Sequence, residues 1–162
     1  MAPLNILVTN SLAERHNKTI KTVLPESKII SCDLEQANEY MADADILVTW
    51  GTMDIRPLHQ NAPKLKWIHA LSAGVESLLF PEMQAKNTLL TNSRGIHGIP
   101  ISEHVLAMML AFTRGLNVFI RQQTKKEWKR SPVEEIHDKT IGIVGLGSIG
   151  REIAKKAKGM GM

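Results

Sequence analysis

Three glycines near the carboxyl end of the chain have a spacing that suits phosphate binding. The run Gly145-Leu146-Gly147-Ser148-Ile149-Gly150 fits the pattern G-x-G-x-x-G, between an apolar run and an amphipathic segment. In this context Gly145 permits a tight turn, Gly147 lets the backbone approach a pyrophosphate, and Gly150 lets a helix pack closely on a strand. The following helix would present free N–H groups to the anion. The motif predicts a dinucleotide site, with an ordinary strand-to-helix turn as the alternative; the residues assigned to the site are Gly145, Gly147, Ser148, Ile149 and Gly150.

Two loops that follow earlier apolar runs are candidates for parts of a ligand site, residues 72–75 for binding a small anion and Trp50-Gly51 as a pocket wall. Ser72-Ala73-Gly74-Val75 consists of small residues whose backbone N–H groups could reach a carboxylate. Trp50-Gly51 ends another apolar run at the same edge of the predicted sheet, where open α/β sheets bind ligands. A structural loop is the alternative for residues 72–75, and a core position is the alternative for Trp50.

The histidines are the side chains that could act as proton donors or as metal ligands. His97 lies in a glycine-flanked loop and is a candidate contact to a substrate. His104 follows Glu103 in a helical segment, where packing or capping is the simpler role. The six histidines show neither an H-x-x-x-H spacing nor a cluster with carboxylates, so no metal site is expected.

Five short apolar runs have the character of parallel strands that are buried on both faces. They are continuous and not alternating, and they cover residues 5–9, 28–31, 45–49, 66–71 and 88–91. Segments of helical character lie between them, at residues 12–24, 36–42 and 55–61. Strands that alternate with helices predict an α/β fold with a flavodoxin-like, doubly wound parallel sheet.

The pattern changes after the fifth run. Pro100 opens a long helix that is predicted to reach about Gln122, with Gly115 as an internal weak point. A polar and basic connection then leads to a sixth predicted strand, Thr140–Val144, and to a helix over residues 148–158. The expected architecture is therefore the flavodoxin-like sheet, followed by the long helix and an incomplete Rossmann βα unit.

Composition limits the classes of function. The hydrophobic content of 43% and the charged content of 22% are those of a globular protein, and no apolar segment is long enough to suggest a membrane partner. A single cysteine, Cys32, excludes an internal disulfide and suits a reducing compartment, so a cytoplasmic location is expected. Residues 114–162 carry eleven Lys/Arg and five Asp/Glu. Because those lysines have helical spacing, we interpret them as a solvated helix face and expect no nucleic acid partner.

Several of these stretches together resemble one family, the NAD-dependent D-isomer-specific 2-hydroxyacid dehydrogenases. They occur in the family's order and at its spacing, and they are Leu65–Leu78, Thr91–His104, Trp128 and Lys139–Gly150. The resemblance implies a two-domain oxidoreductase that reduces a small 2-oxo acid to a D-2-hydroxy acid. The implied divisions are a flavodoxin-like substrate domain over residues 1–99, an inter-domain helix and linker over 100–138, and the start of an NAD-binding Rossmann domain over 139–162.

The resemblance also implies that part of the machinery lies elsewhere. Members of the family are about twice this length, as two such domains require, so the chain is expected to be truncated to their N-terminal half. The family's catalytic Arg, Glu and acid–base His would lie beyond Met162, and the chain alone is therefore expected to be inactive. NAD is the expected cofactor, although the acidic residue that would separate NAD from NADP lies outside this sequence.

Association with another chain is also expected. The long helix and the start of the Rossmann domain would leave apolar surface uncovered, which predicts a homodimer through these segments. The alternative function is a non-catalytic, flavodoxin-like ligand-binding or regulatory module that pairs with a partner chain.

Overall fold

A five-stranded parallel sheet forms the centre of an N-terminal unit, residues 1–94. The computed structural model describes residues 3–10 and 12–162. The strands are ordered β2-β1-β3-β4-β5, which is the flavodoxin-like order, and each neighbouring pair is parallel. The predicted fold class is thus confirmed. The strands are β1 (Asn5–Val8), β2 (Lys28–Ser31), β3 (Ile46–Thr49), β4 (Trp67–Ala70) and β5 (Leu89–Asn92).

Apolar side chains are buried on both faces of the sheet, which explains why the strands read as continuous hydrophobic runs. On one face Leu7, Leu47 and Ile68 are almost completely buried and belong to the main core. On the other face Ile6 and Ile46 belong to a smaller cluster. Truncating a fully buried leucine such as Leu47 to alanine would cost about 2–5 kcal/mol of stability.

The helices of this unit are α1 (Leu12–Val23), α2 (Arg56–Gln60) and α3 (Pro81–Ala85), and a short 3₁₀ turn spans Glu76–Leu78. The helix predicted over residues 36–42 is wrong, because two 3₁₀ turns, Ala37–Glu39 and Met41–Asp43, take its place. The tighter turns bury both Ala37 and Met41 in the core and still leave the chain extended at Ala44, directly before β3.

A helical unit covers residues 95–162. The long helix predicted from Pro100 to about Gln122 is instead two helices, α4 (Gly98–Thr113) and α5 (Leu116–Thr124). Gly115 between them has a φ of +64°, in the left-handed region that ends a helix. The glycine that the sequence marks as a weak point inside one helix is therefore a break between two.

The predicted sixth strand, Thr140–Val144, is also wrong. No strand is present within residues 95–162, so the backbone of this segment has no strand beside it to form a ladder. Val144 is fully exposed and Leu146 is 65% exposed. The helix that follows, α6 (Ser148–Gly159), does form as predicted.

The amino-terminal parts of α4 and α6 pack closely on each other. A Cβ atom on Gly98 would lie 3.3 Å from the carbonyl oxygen of Ser148 and 3.6 Å from Cβ of Glu152. Lys156 Nζ donates to the carbonyl oxygen of Ile99 at 3.3 Å, which ties the two helices together further along. In the part of the chain that is described, no helix has the length and apolar character needed to cross a bilayer.

Candidate functional site

Two loops meet at the carboxyl edge of the sheet, after β3 and β4. The backbone N–H of Gly51 donates to Ser72 Oγ at 2.9 Å, and the Ser72 hydroxyl donates to the carbonyl oxygen of Gly74 at 2.7 Å. The structure therefore brings together two regions that the sequence marks separately, Trp50-Gly51 and Ser72–Val75. Ser72 is the link between them, because it accepts from one loop and donates within the other.

Gly51 is required by this close approach. A Cβ atom at position 51 would lie 1.9 Å from the carbonyl oxygen of Gly74 and 2.4 Å from Ser72 Oγ. Any side chain would separate the loops. Trp50, immediately before it, is 40% exposed, so its side chain is a surface feature and not a core residue.

The Ser72–Val75 loop keeps backbone donors available. Among the described residues, no partner accepts from the N–H groups of Ala73, Gly74 and Val75. A side chain at the end of β5 also stabilises the loop, since Asn92 Nδ2 donates to the carbonyl oxygen of Ala73 at 2.5 Å. Successive unpaired N–H groups form a concave positive surface of the kind that binds carboxylates and other anions.

A set of polar side chains lies at the ends of β4 and β5, next to this loop, and no motif in the sequence marks it. His69 on β4 has Nδ1 2.8 Å from Thr91 Oγ1 and Nε2 3.3 Å from Ser93 Oγ. Trp67 Nε1 donates to the same Thr91 oxygen at 2.8 Å. The available signal is that residues 67 and 69 of β4 share one face of the sheet with residue 91 of β5 and that residue 93 follows the end of β5 with the same alternation; most of these residues are polar.

The glycine loop precedes α6, where its three glycines have different surroundings. Gly145 has a φ of +93°, so the turn needs a residue without a side chain. A Cβ atom on Gly150 would lie 2.2 Å from the carbonyl oxygen of Gly145, whereas a Cβ atom on Gly147 would meet nothing within 4 Å. Gly150 is thus required for close packing, and Gly147 leaves the backbone open to a ligand.

These residues fit a dinucleotide pyrophosphate. The helix α6 begins at Ser148 with no side-chain cap, so the N–H groups of its first turn are free for an anion. Ser148 and the Gly147 backbone are exposed, and Ile149 is half-buried behind them. The open approach at Gly147, next to an uncapped helix amino terminus, is the arrangement that the chemistry of a bound diphosphate requires.

His97 directly precedes α4 in the same unit as the glycine loop. The close packing of Gly98 on Ser148 places His97 near the start of α6. The ring is half-buried, and its Nδ1 is buried without a hydrogen-bond partner in the described structure. Within the described residues, no group of three His, Cys, Asp or Glu side chains is arranged to hold a metal ion.

Comparisons with known proteins show which family this chain resembles. Residues 106–162 match the family described as D-isomer specific 2-hydroxyacid dehydrogenase, NAD binding domain. The D-3-phosphoglycerate dehydrogenase of Methanocaldococcus jannaschii is 31% identical over 98% of this chain and 31% of its own length. The glyoxylate reductase of Thermococcus litoralis is 34% identical over 76% of this chain and 40% of its own length.

A comparison with solved structures finds the same family. A D-isomer specific 2-hydroxyacid dehydrogenase family protein from Aeromonas salmonicida superposes with a TM-score of 0.85, with 31% identity over 99% of this chain and 52% of its own. This chain therefore spans between about a third and a half of the lengths of the relatives that it matches. The family resemblance and the expectation of NAD as its cofactor are confirmed.

Proposed function

We propose that this chain, as part of the D-isomer-specific 2-hydroxyacid dehydrogenase family, is the N-terminal part of an NAD-dependent oxidoreductase that reduces a small 2-oxo acid to a D-2-hydroxy acid. The observation that carries the proposal is the geometry of the glycine loop at the start of α6. The space beside the Gly147 backbone is empty, whereas Gly150 packs directly on the carbonyl oxygen of Gly145. This loop lies inside the segment that matches the family's NAD-binding domain.

The glycine loop holds the cofactor's pyrophosphate. The backbone of Gly145, Gly147 and Gly150 sets the path of the turn, and the N–H groups of Ser148 and Ile149 point their positive ends toward the anion. When bound, the nicotinamide supplies the hydride for the carbonyl carbon of the substrate. NAD is the nicotinamide cofactor in this proposal, because the matching family is described as NAD-binding.

The Ser72–Val75 loop holds the carboxylate of the 2-oxo acid. Its unpaired N–H groups at Ala73, Gly74 and Val75 are donors for the carboxylate oxygens, and Ser72 keeps their backbone in place through Gly51. Trp50 is a wall of the substrate pocket, and its exposed ring is free to contact the substituent of the acid. His97 is a further substrate contact.

The 162 residues alone are inactive in this proposal. Carbonyl reduction needs a proton donor at the oxygen as well as a hydride donor at the carbon. None of the residues assigned to the sites, except His97, carries a titratable side chain, and the catalytic Arg, Glu and His of the family are implied to lie beyond Met162.

Two measurements test this proposal. Titration of the chain with NADH, followed by quenching of protein fluorescence, is expected to show binding that competes with ADP-ribose. Incubation with NADH and glyoxylate or pyruvate is expected to show no loss of NADH absorbance beyond that of a His97→Ala control. Turnover above that control would disprove the inactivity, and the absence of any NADH binding would disprove the role of the glycine loop.

A second function is favoured by the unpaired segment Thr140–Val144. Its backbone has no strand partner, and the exposed side chains of Val144 and Leu146 follow directly. In the same unit Met108, Phe112 and Ile120 of α4 and α5 are also exposed. Apolar surface next to an unpaired backbone favours association with another chain, so a non-catalytic module that pairs with a partner is the alternative function.

The partner that we propose is a second copy, in a homodimer formed through α4, α5 and the start of the Rossmann segment. Sedimentation equilibrium at high micromolar concentration is expected to give twice the monomer mass of 18.0 kDa, and a monomer would contradict the homodimer. A cytoplasmic location is proposed on the basis of the single cysteine, and no nucleic acid or membrane partner is proposed.

A further inference from the structure

The polar set on β4 and β5 has a fixed direction of hydrogen bonding. Trp67 Nε1 can only donate, so Thr91 Oγ1 accepts from it at 2.8 Å. Among the described residues, the acceptor within hydrogen-bond distance of the Thr91 hydroxyl proton is then Nδ1 of His69, at 2.8 Å. With Nδ1 as the acceptor, a neutral His69 carries its proton on Nε2 and donates to Ser93 Oγ at 3.3 Å.

The opposite tautomer leaves one proton without a partner. If Nδ1 carried the proton, Thr91 Oγ1 would accept from both Trp67 and His69, and its own proton would have no acceptor among the described residues. His69 is only partly exposed, and burial lowers its pKa, so the neutral form dominates at neutral pH. Burial is the cause of that shift, and within the described part of the chain no charged side chain adds to it.

Ser93 connects this set to the Ser72–Val75 loop. Its backbone N–H donates to the carbonyl oxygens of Ala70, at 3.0 Å, and Ser72, at 3.2 Å. The hydroxyl of Ser93 is held by His69, and its backbone is held by the first residue of the loop. A change at the His69 ring is therefore transmitted to Ser72 through one residue.

We propose that His69 is a positioning residue for the Ser72–Val75 loop. As the neutral Nε2–H tautomer it accepts from Thr91, donates to Ser93, and so fixes the end of β5 against Ser72 in the geometry that presents the loop's N–H groups to a carboxylate. The proposal rests on the carboxylate-binding role given to this loop under the proposed function. Protonation of His69 reverses the bond to Thr91, because Nδ1 then has to donate.

The tautomer is tested directly by nitrogen NMR of the full 162-residue chain. The His69 ring is expected to show a protonated Nε2 and an unprotonated Nδ1 at pH 7.5. On acidification, the backbone amides of Ser93, Ser72 and Gly74 are expected to shift with the same midpoint as the His69 ring, below the ordinary histidine value of 6.5. A protonated Nδ1 at pH 7.5, or loop amides that do not follow this midpoint, would overturn the proposal whether or not a ligand binds.

Substitutions separate positioning from simple packing. In His69→Gln the amide oxygen can accept from Thr91 and the amide nitrogen can donate to Ser93, whereas His69→Leu keeps bulk without either bond. Titration with oxamate, an unreactive analogue of a 2-oxo acid, is expected to show near wild-type affinity for His69→Gln and about tenfold weaker binding for His69→Leu. His16→Gln, at an exposed position on α1, is the control and is expected to bind like wild type.

The outcomes distinguish this inference from the proposed function. If wild type fails to bind oxamate while the loop amides still follow His69, the carboxylate site is wrong and the positioning of the loop by His69 stands. If wild type binds oxamate and His69→Leu binds it equally well, the positioning role is wrong and the carboxylate site stands. Equal losses in His69→Gln and His69→Leu would also contradict the proposal, because the amide should preserve both hydrogen bonds.

Discussion

Substituting the second and third glycines of the phosphate loop should separate packing from binding. Gly150→Ala places a Cβ atom 2.2 Å from the carbonyl oxygen of Gly145 and 3.2 Å from Cγ2 of Ile143. Ordinary contact begins at 3.4 Å, so α6 and the turn must separate by 3.4 − 2.2 = 1.2 Å. The obstacle is a backbone carbonyl, which cannot rotate away as a flexible side chain would. Gly147→Ala meets nothing within 4 Å and requires no such movement.

These distances give different expectations for the two variants. Overpacking of this kind costs about 1–3 kcal/mol, and alanine regains little helix propensity in the first turn, so we expect Gly150→Ala to lose about 2 kcal/mol of stability. Gly147→Ala should stay within about 0.5 kcal/mol of wild type. Its methyl group would nevertheless occupy the space through which a pyrophosphate approaches the backbone, so NADH affinity should fall about tenfold.

Urea unfolding and NADH titration of these two variants and of a control are the assays. Gly142→Ala is the matched control, because its Cβ atom also meets nothing within 4 Å, it has no positive φ, and it precedes the loop. It should leave stability and NADH affinity unchanged. The reasoning about packing would be refuted if Gly150→Ala were as stable as wild type. The reasoning about the ligand would be refuted if Gly147→Ala bound NADH at full strength.

Three further predictions concern the N-terminal unit. Ser72→Ala removes the bond from Gly51 that joins the two loops and the bond to Gly74 within the second loop, and it should weaken oxamate binding about tenfold by isothermal titration, whereas the exposed control Ser77→Ala should not; equal affinities would exclude Ser72 as the link. Burial lowers the pKa of His59, and Lys86 lowers it further by a smaller amount. On acidification, His59 therefore takes up a proton in the unfolded chain before it does so in the folded protein, and the stability of the fold should decrease as pH falls below 6.5. Urea unfolding at pH 7.5 and 5.5 should show this decrease in stability in wild type and a smaller decrease in His59→Leu. An equal decrease in the two proteins would refute the role of His59. The Lys66 ammonium and the Asn5 N–H lower the pKa of Asp45. The contribution of the ionised Asp45 to folding stability should therefore be present above about pH 4 and be lost as pH falls further. Asp45→Asn should therefore show lower stability at pH 7 and a shallower acid limb, and an identical acid limb would contradict this.

Much of the architecture could be predicted from local sequence, because it depends on the side chains nearest in the chain. The continuous apolar runs at residues 5–9 and 45–49 predict parallel strands buried on both faces, and β1 and β3 form there with both faces covered. The amphipathic segment after the glycine loop predicts α6 within one residue of its observed end.

The predictions of local structure that are wrong concern segments whose conformation depends on interactions with other segments. Thr140–Val144 has the composition of a strand, but a strand is stable only when its backbone is paired, and no strand lies beside it in its unit. Gly115 is tolerable within a helix as far as local propensity is concerned. The structure uses it as a left-handed break, where a Cβ atom would lie 3.2 Å from the Phe119 ring.

The candidate site also has some features that local sequence specifies and others that depend on contacts between distant segments. The sequence by itself determined the turn before α6, because the spacing of Gly145, Gly147 and Gly150 within one short loop is enough to specify a turn before a helix. Only the tertiary structure decided that Gly51 must approach Gly74 and that His69 lies between Thr91 and Ser93. These partners are about twenty residues apart, and the register of neighbouring strands, which local composition does not encode, brings them within hydrogen-bond distance.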